Sequence, residues 1–255
     1  MNLKALPKIL WQNNFLKSPV QGFFLFTLQY LYGIIPTKEL LFMLEGKVFN
    51  NSVIKTIEFD YLLYTPKNYN KNEKFPLLVF LHGAGERGDD VAVAGRHGPF
   101  KYAKEGKEYP FVMVAPQCKQ DKYWGNYLES LNIFLDEIIK EFNIDESRIY
   151  LTGLSMGGTG TWHWLMANPE RFAAAAPVCG TGICWYACRI AHKPIWITHG
   201  TADTTVPFDE SERMVEFLKK SGGEPILTTL EGVGHNAWDY AYTDELTEWF
   251  LKHSL

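Results

Sequence analysis

The sequence predicts an α/β domain, a mostly parallel, twisted sheet with helices on both faces. Three observations carry this. Apolar runs of strand length alternate with segments of helical periodicity along most of the chain. Two of the runs, Leu77-Leu78-Val79-Phe80-Leu81 and Phe111-Val112-Met113-Val114-Ala115, are continuously apolar, as strands covered on both faces are. Tyr150-Leu151-Thr152-Gly153-Leu154-Ser155-Met156-Gly157-Gly158 reads as a strand that ends in Gly-x-Ser-x-Gly and runs directly into a helix. A length of 255 residues, 46% hydrophobic, suits one globular domain with a large core.

Taken in order, the first 45 residues stand apart. Between Lys17 and Lys38 lies an uncharged stretch holding Phe23-Phe24-Leu25-Phe26 and Tyr30-Leu31-Tyr32-Gly33-Ile34-Ile35, preceded by Lys4, Lys8 and Lys17. Gln21, Thr27, Gln29 and Gly33 dilute it, Pro36 follows, and no small-x-small cleavage site is evident. A spanning helix needs about 20 predominantly apolar residues, which this segment barely supplies. Residues 1–45 are therefore expected to be a helical extension packed on the domain or on a second subunit. A membrane-surface segment is the next reading, and a signal anchor the third. The expected location is cytoplasmic, with membrane association and secretion left open. Residues 46–255 form the main domain.

Within that domain, residues 47–65 alternate in polarity and predict an antiparallel strand pair at a sheet edge. Strands follow at 77–81 and 111–115. Residues 126–142 have helical periodicity, with Leu128, Leu131, Phe134, Leu135, Ile138 and Ile139 on one face. Asn126 and Glu129 read as a capping pair at its start. Arg148–Thr152 is the strand feeding the serine turn, and a helix carrying His163 follows the turn. Further strands are predicted at 173–178, 194–199 and 225–230. Helices are predicted at 211–220, ended by Gly222-Gly223, and at 240–251. The connection from Val178 to Pro194 is too short for a large lid.

A net charge of −4 and the absence of any basic run give no argument for nucleic acid. The four cysteines, Cys118, Cys179, Cys184 and Cys188, are too few for a disulfide framework in a chain of this length. Cys184, Cys188 and His192 fall at i, i+4, i+8, a spacing that a metal site on a helix would use. Small, buried, reduced thiols are the plainer reading, and neither metal nor cofactor is expected. Cys179 would pair with a neighbouring cysteine only in an oxidising compartment.

The chemistry resides at predicted strand ends. A serine hydroxyl is a weak nucleophile near neutral pH and needs a histidine base oriented by a carboxylate. Ser155 occupies the strand-to-helix turn, Asp203 the loop after the strand ending at His199, and His235 the loop after the last strand. These follow the order Ser, acid, His and share one rim of the sheet. Taken singly, Asp203 could be a turn aspartate and His235 a surface histidine; their joint placement points to a triad. Charge developing on a carbonyl oxygen needs donors. The backbone N–H of Met156 is one candidate, and that of Ala84 or Gly85, in His82-Gly83-Ala84-Gly85-Glu86-Arg87-Gly88, is the other. His82 and His199 are expected to shape loops. Tyr123, Trp124 and Trp238 are candidate walls of a substrate cleft or, equally, packing residues.

The chain resembles the α/β-hydrolases of the esterase and prolyl-oligopeptidase-like superfamily. More narrowly, it is similar to the lidless bacterial group labelled predicted peptidase or feruloyl/carboxylesterase-like. The resemblance runs from about Phe59 to the C-terminus. It rests on Tyr61–Pro66, Phe80–Gly88, Ala115–Cys118, Thr152–Gly158, His199–Asp203 and Gly234–Trp238. It implies a Ser-His-Asp hydrolase without metal or organic cofactor, with Ser155, Asp203 and His235 as the triad. The expected reaction is hydrolysis of short-chain or aromatic acyl esters, with small-molecule or oligosaccharide-linked esters as substrates. The alternatives are a peptidase acting on small peptides, or a slow hydrolase domain used for ligand binding or membrane association. The first 45 residues lie outside the resemblance.

Overall fold

The computed structural model describes residues 47–255, together with the backbone of a short antiparallel pair, Phe23–Phe24 with Leu44–Glu45. The chain divides into two units, residues 1–56 and 57–255. Apart from that strand pair, the helix expected within residues 1–45 lies outside the described residues. No helix among the described residues is long and apolar enough to cross a membrane.

The larger unit is built on a seven-stranded sheet. Its strands are β1 (Tyr61–Tyr64), β2 (Phe75–Leu81), β3 (Val112–Pro116), β4 (Ile144–Leu154), β5 (Ala174–Val178), β6 (Trp196–Gly200) and β7 (Ile226–Leu230). They lie side by side in the order β1-β3-β2-β4-β5-β6-β7. Every neighbouring pair is parallel except β1, which runs antiparallel to β3 at the edge, Tyr61 opposite Pro116 and Tyr64 opposite Met113. The helices are α1 (Gly98–Lys104), α2 (Leu128–Glu141), α3 (Met156–Ala167), α4 (Ala187–Ile190), α5 (Asp209–Lys220), α6 (Trp238–Ala241) and α7 (Asp244–Leu251).

The apolar strands separate their side chains by parity, because successive residues point to opposite faces. Leu77, Val79, Leu81, Val112, Val114, Ile149 and Leu151 join one buried cluster with Leu131, Leu135 and Ile138 of α2, Trp162, Trp164 and Leu165 of α3, and Met214 and Leu218 of α5. Leu78, Phe80, Met113 and Tyr150 join the other, with Phe100 of α1 and Leu246 and Phe250 of α7. Continuous apolar runs are what such two-sided burial requires.

Three expectations are corrected, and one helix was not expected. Only Tyr61–Tyr64 of the 47–65 segment is a strand; residues 47–60 form none. β3 offers an open edge to Tyr61–Tyr64, whereas Val48, Phe49, Val53 and Ile54 are almost fully exposed, so their alternation meets no apolar surface. The pair Asn126 and Glu129 does not cap α2, which starts at Leu128. The Asn126 side chain turns back to accept from Tyr123 N–H at 2.9 Å and closes a short 3-10 turn instead. The helix expected at 240–251 breaks at Tyr242-Thr243, where the Thr243 hydroxyl accepts from Leu246 N–H at 3.2 Å and starts α7 afresh. Helix α1 carried no long periodic pattern; its seven residues begin at Gly98-Pro99, and Gly98 has φ 67° against the Phe80 ring.

Phe250 is 2% exposed and packs on Tyr150, with ring centroids 5.1 Å apart. Phe250→Ala removes a large buried ring from this face and is expected to cost about 3–5 kcal/mol, read from the midpoint of urea unfolding.

Candidate active site

Ser155 sits between β4 and α3 with φ 53° and ψ −117°, a conformation side-chain-bearing residues rarely adopt. The glycines beside it allow the turn to close. A Cβ at Gly157 would land inside the carbonyl oxygen of Leu81, at the end of β2, and one at Gly153 would strike the Gly157 carbonyl. Ser155 N–H donates to Val178 O of β5 at 2.9 Å, so the strands on both sides brace the turn.

Asp203 lies in the loop after β6 and His235 in the loop after β7. His235 Nε2 is 2.8 Å from Ser155 Oγ, and His235 Nδ1 is 2.7 Å from Asp203 Oδ2. An ionised carboxylate only accepts, so Nδ1 carries the proton and Nε2 is left to accept from the serine hydroxyl. The Asp203 side chain is fully buried. Burial pushes its carboxyl up, but hydrogen bonds from His235, Val206 N–H (2.9 Å) and Thr205 N–H (2.8 Å), with the attraction of His235, outweigh that and leave it below the ordinary carboxylate value. The site therefore holds an ionised carboxylate in a solvent-free position.

The loop after β2 abuts this turn. A Cβ on Gly83 would fall 2.9 Å from the Leu154 side chain. Ala84 and Gly85 open a 3-10 turn and Met156 is the first residue of α3. The first N–H groups of a helical segment have no partner within it. The candidate donors, Met156 and one of Ala84 or Gly85, thus stand at the starts of helical segments. His82 holds the loop's shape. Its Nδ1 is 2.7 Å from Gly83 O, its Nε2 is 3.0 Å from Cys118 N, and its carbonyl accepts from Trp124 Nε1 at 2.9 Å. The Cys118 amide only donates, so Nε2 must be unprotonated.

Trp124 is therefore no cleft wall. It is 1% exposed, with its ring edge-on to His82 at 5.0 Å, and it supports the loop from below. Tyr123 is 58% exposed and lies under the Arg87 guanidinium at 4.9 Å. Trp238 stands edge-on to His235 at 5.3 Å and against His97 at 5.4 Å. The motif reading missed Glu86, a buried carboxylate in the same loop, 3.8 Å from both Arg96 and His97. Its flanking glycines masked it as loop punctuation.

All four cysteines are free thiols. Among the described residues Cys184, Cys188 and His192 form no group within metal-ligand reach; α4 is only four residues long, so the spacing does not fall on one continuous helix. Cys179, Asp203 and His235 do lie within 4.8 Å of one another. There the Asp203 oxygen and His235 Nδ1 are already bonded to each other, and burial pushes the Cys179 thiol up to about 12. Cys179 instead contacts the His235 carbonyl, 3.5 Å from its sulfur.

Strand order, elbow, acid loop and histidine loop define an α/β-hydrolase, and residues 179–195 between β5 and β6 hold only a 3-10 turn and α4 rather than a lid. The sequence profile of the phospholipase/carboxylesterase family matches residues 68–247, and the chain belongs to that family. It is 27% identical to the "Probable feruloyl esterase C" of Aspergillus oryzae over 73% of this chain and 71% of that one. It is 30% identical to a bifunctional acetylxylan esterase/xylanase of Neocallimastix patriciarum over 60% of this chain but only 22% of that one. A relative from Arthroderma benhamiae, 28% identical over 72% of this chain and 23% of that one, is described as an uncharacterized secreted protein. Among solved structures, a thermostable esterase superposes with a TM-score of 0.68 at 36% identity, covering 78% of this chain and 60% of that one.

His82 offers a test of the loop. Burial lowers its pKa to about 4, from 6.5 in the unfolded chain. The unfolded state therefore binds the proton first, and the stabilising contribution is complete above pH 6.5 and is lost as the pH falls toward 4. A shift of this size corresponds to a loss of about 3 kcal/mol across that window. His82→Gln is expected to flatten this part of the stability profile, measured by urea unfolding at a series of pH values.

Proposed function

We propose that this protein is a serine esterase that cleaves carboxylic esters through an acyl-enzyme. One observation carries the reading: the continuous hydrogen-bonded chain from Ser155 Oγ through His235 to the buried Asp203 carboxylate. Family membership supports it, and so does the naming of its relatives as feruloyl, acetylxylan and thermostable esterases.

In this reading His235 Nε2 takes the hydroxyl proton as Ser155 Oγ bonds to the ester carbon and the carbonyl π electrons move onto oxygen. The Met156 N–H and one from Ala84 or Gly85 receive that oxyanion, each contributing about 3–4 kcal/mol to the transition state. The intermediate collapses, the bond to the alcohol oxygen breaks, and His235 returns its proton to the leaving alcohol. Asp203 stabilises the imidazolium formed between the two steps. A water then repeats the sequence on the acyl-enzyme and frees the acid.

Substrate choice follows from the short β5–β6 connection and from the aromatic beside His235. The β5–β6 connection carries no lid to enclose a long acyl chain, and Trp238 places an aromatic surface beside the base. Short-chain and aromatic acyl esters, including those attached to polysaccharides, are the proposed substrates.

A p-nitrophenyl ester series of rising acyl length tests this. Turnover is expected to peak at short chains and to fall by about four to six orders of magnitude in Ser155→Ala, with folding retained. Ester turnover that survives in a clean Ser155→Ala preparation overturns the assignment. Fluorophosphonate labelling of Ser155 with turnover of peptides and not esters would replace the esterase by a peptidase.

A further inference from the structure

The triad accounts for only one of the two histidines that meet Asp203. His199, the penultimate residue of β6, is fully buried. Its Nε2 lies 3.2 Å from Asp203 Oδ2, the same oxygen that bonds His235, and 2.9 Å from the Val206 carbonyl. A carbonyl oxygen and an ionised carboxylate both only accept, so Nε2 carries a proton and shares it between them. Nδ1 is 2.7 Å from the hydroxyl of Ser211, itself buried in α5. The Phe208 ring stands edge-on to the imidazole at 5.7 Å and closes another side. His199 is thus held at both nitrogens and on its face.

We propose that His199 is a positioning residue for the hydrolytic reaction, which aims the Asp203 carboxylate at His235 by donating its Nε2–H to the oxygen they share. Oδ1 accepts from Thr205 and Val206 N–H. The carboxylate is planar, so its two oxygens turn together about the Cβ–Cγ bond, and the His199 donor on Oδ2 acts with those two bonds to hold that torsion in line with His235. Among the described residues, the other titratable groups against this oxygen are His235 itself and Cys179. His199 reaches neither Ser155 nor the cleft, so it acts through Asp203 and not on substrate.

The inference rests on reading Ser155, His235 and Asp203 as the triad, and its test separates the two. His199→Gln puts an amide nitrogen about where Nε2 stands, and His199→Asn stops about where Nδ1 stands. Both are polar and comparably disruptive to packing. The His235 imidazole is titrated by NMR in each, which needs no turnover, and kcat and KM on a p-nitrophenyl ester are measured per fluorophosphonate-labelled site. His199→Asn is expected to lower the His235 midpoint, because a misaimed carboxylate stabilises the imidazolium less, and to lower kcat about tenfold with KM within about twofold. His199→Gln is expected to stay near wild type in both. Ser211→Ala, which only loosens the ring, should move the midpoint the same way by less. Asn and Gln variants that behave alike, or an unmoved midpoint in His199→Asn and Ser211→Ala, overturn the inference. Absence of ester turnover in the wild type, with the NMR shifts as expected, overturns the esterase reading and leaves the positioning role standing.

Discussion

The close approach of the Ser155 turn to the end of β2 is the constraint on which the site depends. The backbone of Gly157 lies so near the Leu81 carbonyl that no side chain fits between them. That contact requires β2 and β4 to be adjacent, and the strand order supplies it. It also brings the loop after β2 against the first turn of α3. One steric fact therefore ties the strained backbone of Ser155 to the placement of the loop that carries Ala84 and Gly85. The strain is carried by a sheet whose two faces are packed with large side chains, Trp162 and Trp164 on one and Phe80 and Tyr150 on the other.

Around this contact the polar groups are arranged as matched donors and acceptors. A carboxylate taken out of water is costly unless its oxygens are bonded. Asp203 meets that cost with backbone N–H groups on one oxygen and imidazole N–H groups on the other. The same logic governs His82, which is buried as a neutral ring because one nitrogen accepts and the other donates within the loop. Trp124 completes the loop's support with a hydrogen bond to the His82 carbonyl, so a residue with the look of a cleft aromatic serves as a strut. Cys179 contacts the main chain of the histidine loop by the same economy.

Much of the fold was legible because its signals are local. The apolar runs 77–81 and 111–115, the helical stripe of Leu131, Leu135 and Ile138, and the glycine-flanked Ser155 each arise from neighbours in sequence, and each stands where its pattern placed it. Boundaries were less legible. Asn126 and Glu129 have the spacing of a cap, yet the Asn126 side chain closes a preceding turn, because the competing hydrogen bond to Tyr123 is equally local. The alternation of residues 47–60 matched a strand pattern, but a strand needs an edge to pair with, and β3 offers its edge only to Tyr61–Tyr64.

The sequence by itself determined the class of sheet, the position of the serine turn and the order of serine, acid and histidine, because spacing and residue type along the chain carry those. Only the tertiary structure decided the rest. It made Trp124 core and left Trp238 beside His235. It buried the Glu86 carboxylate within the loop after β2, and it set His199 and His235 on one oxygen of Asp203. These depend on which loops the sheet brings to one rim and on how many donors converge on a single buried atom. Convergence in space is a property of the packed domain, and no local pattern encodes it.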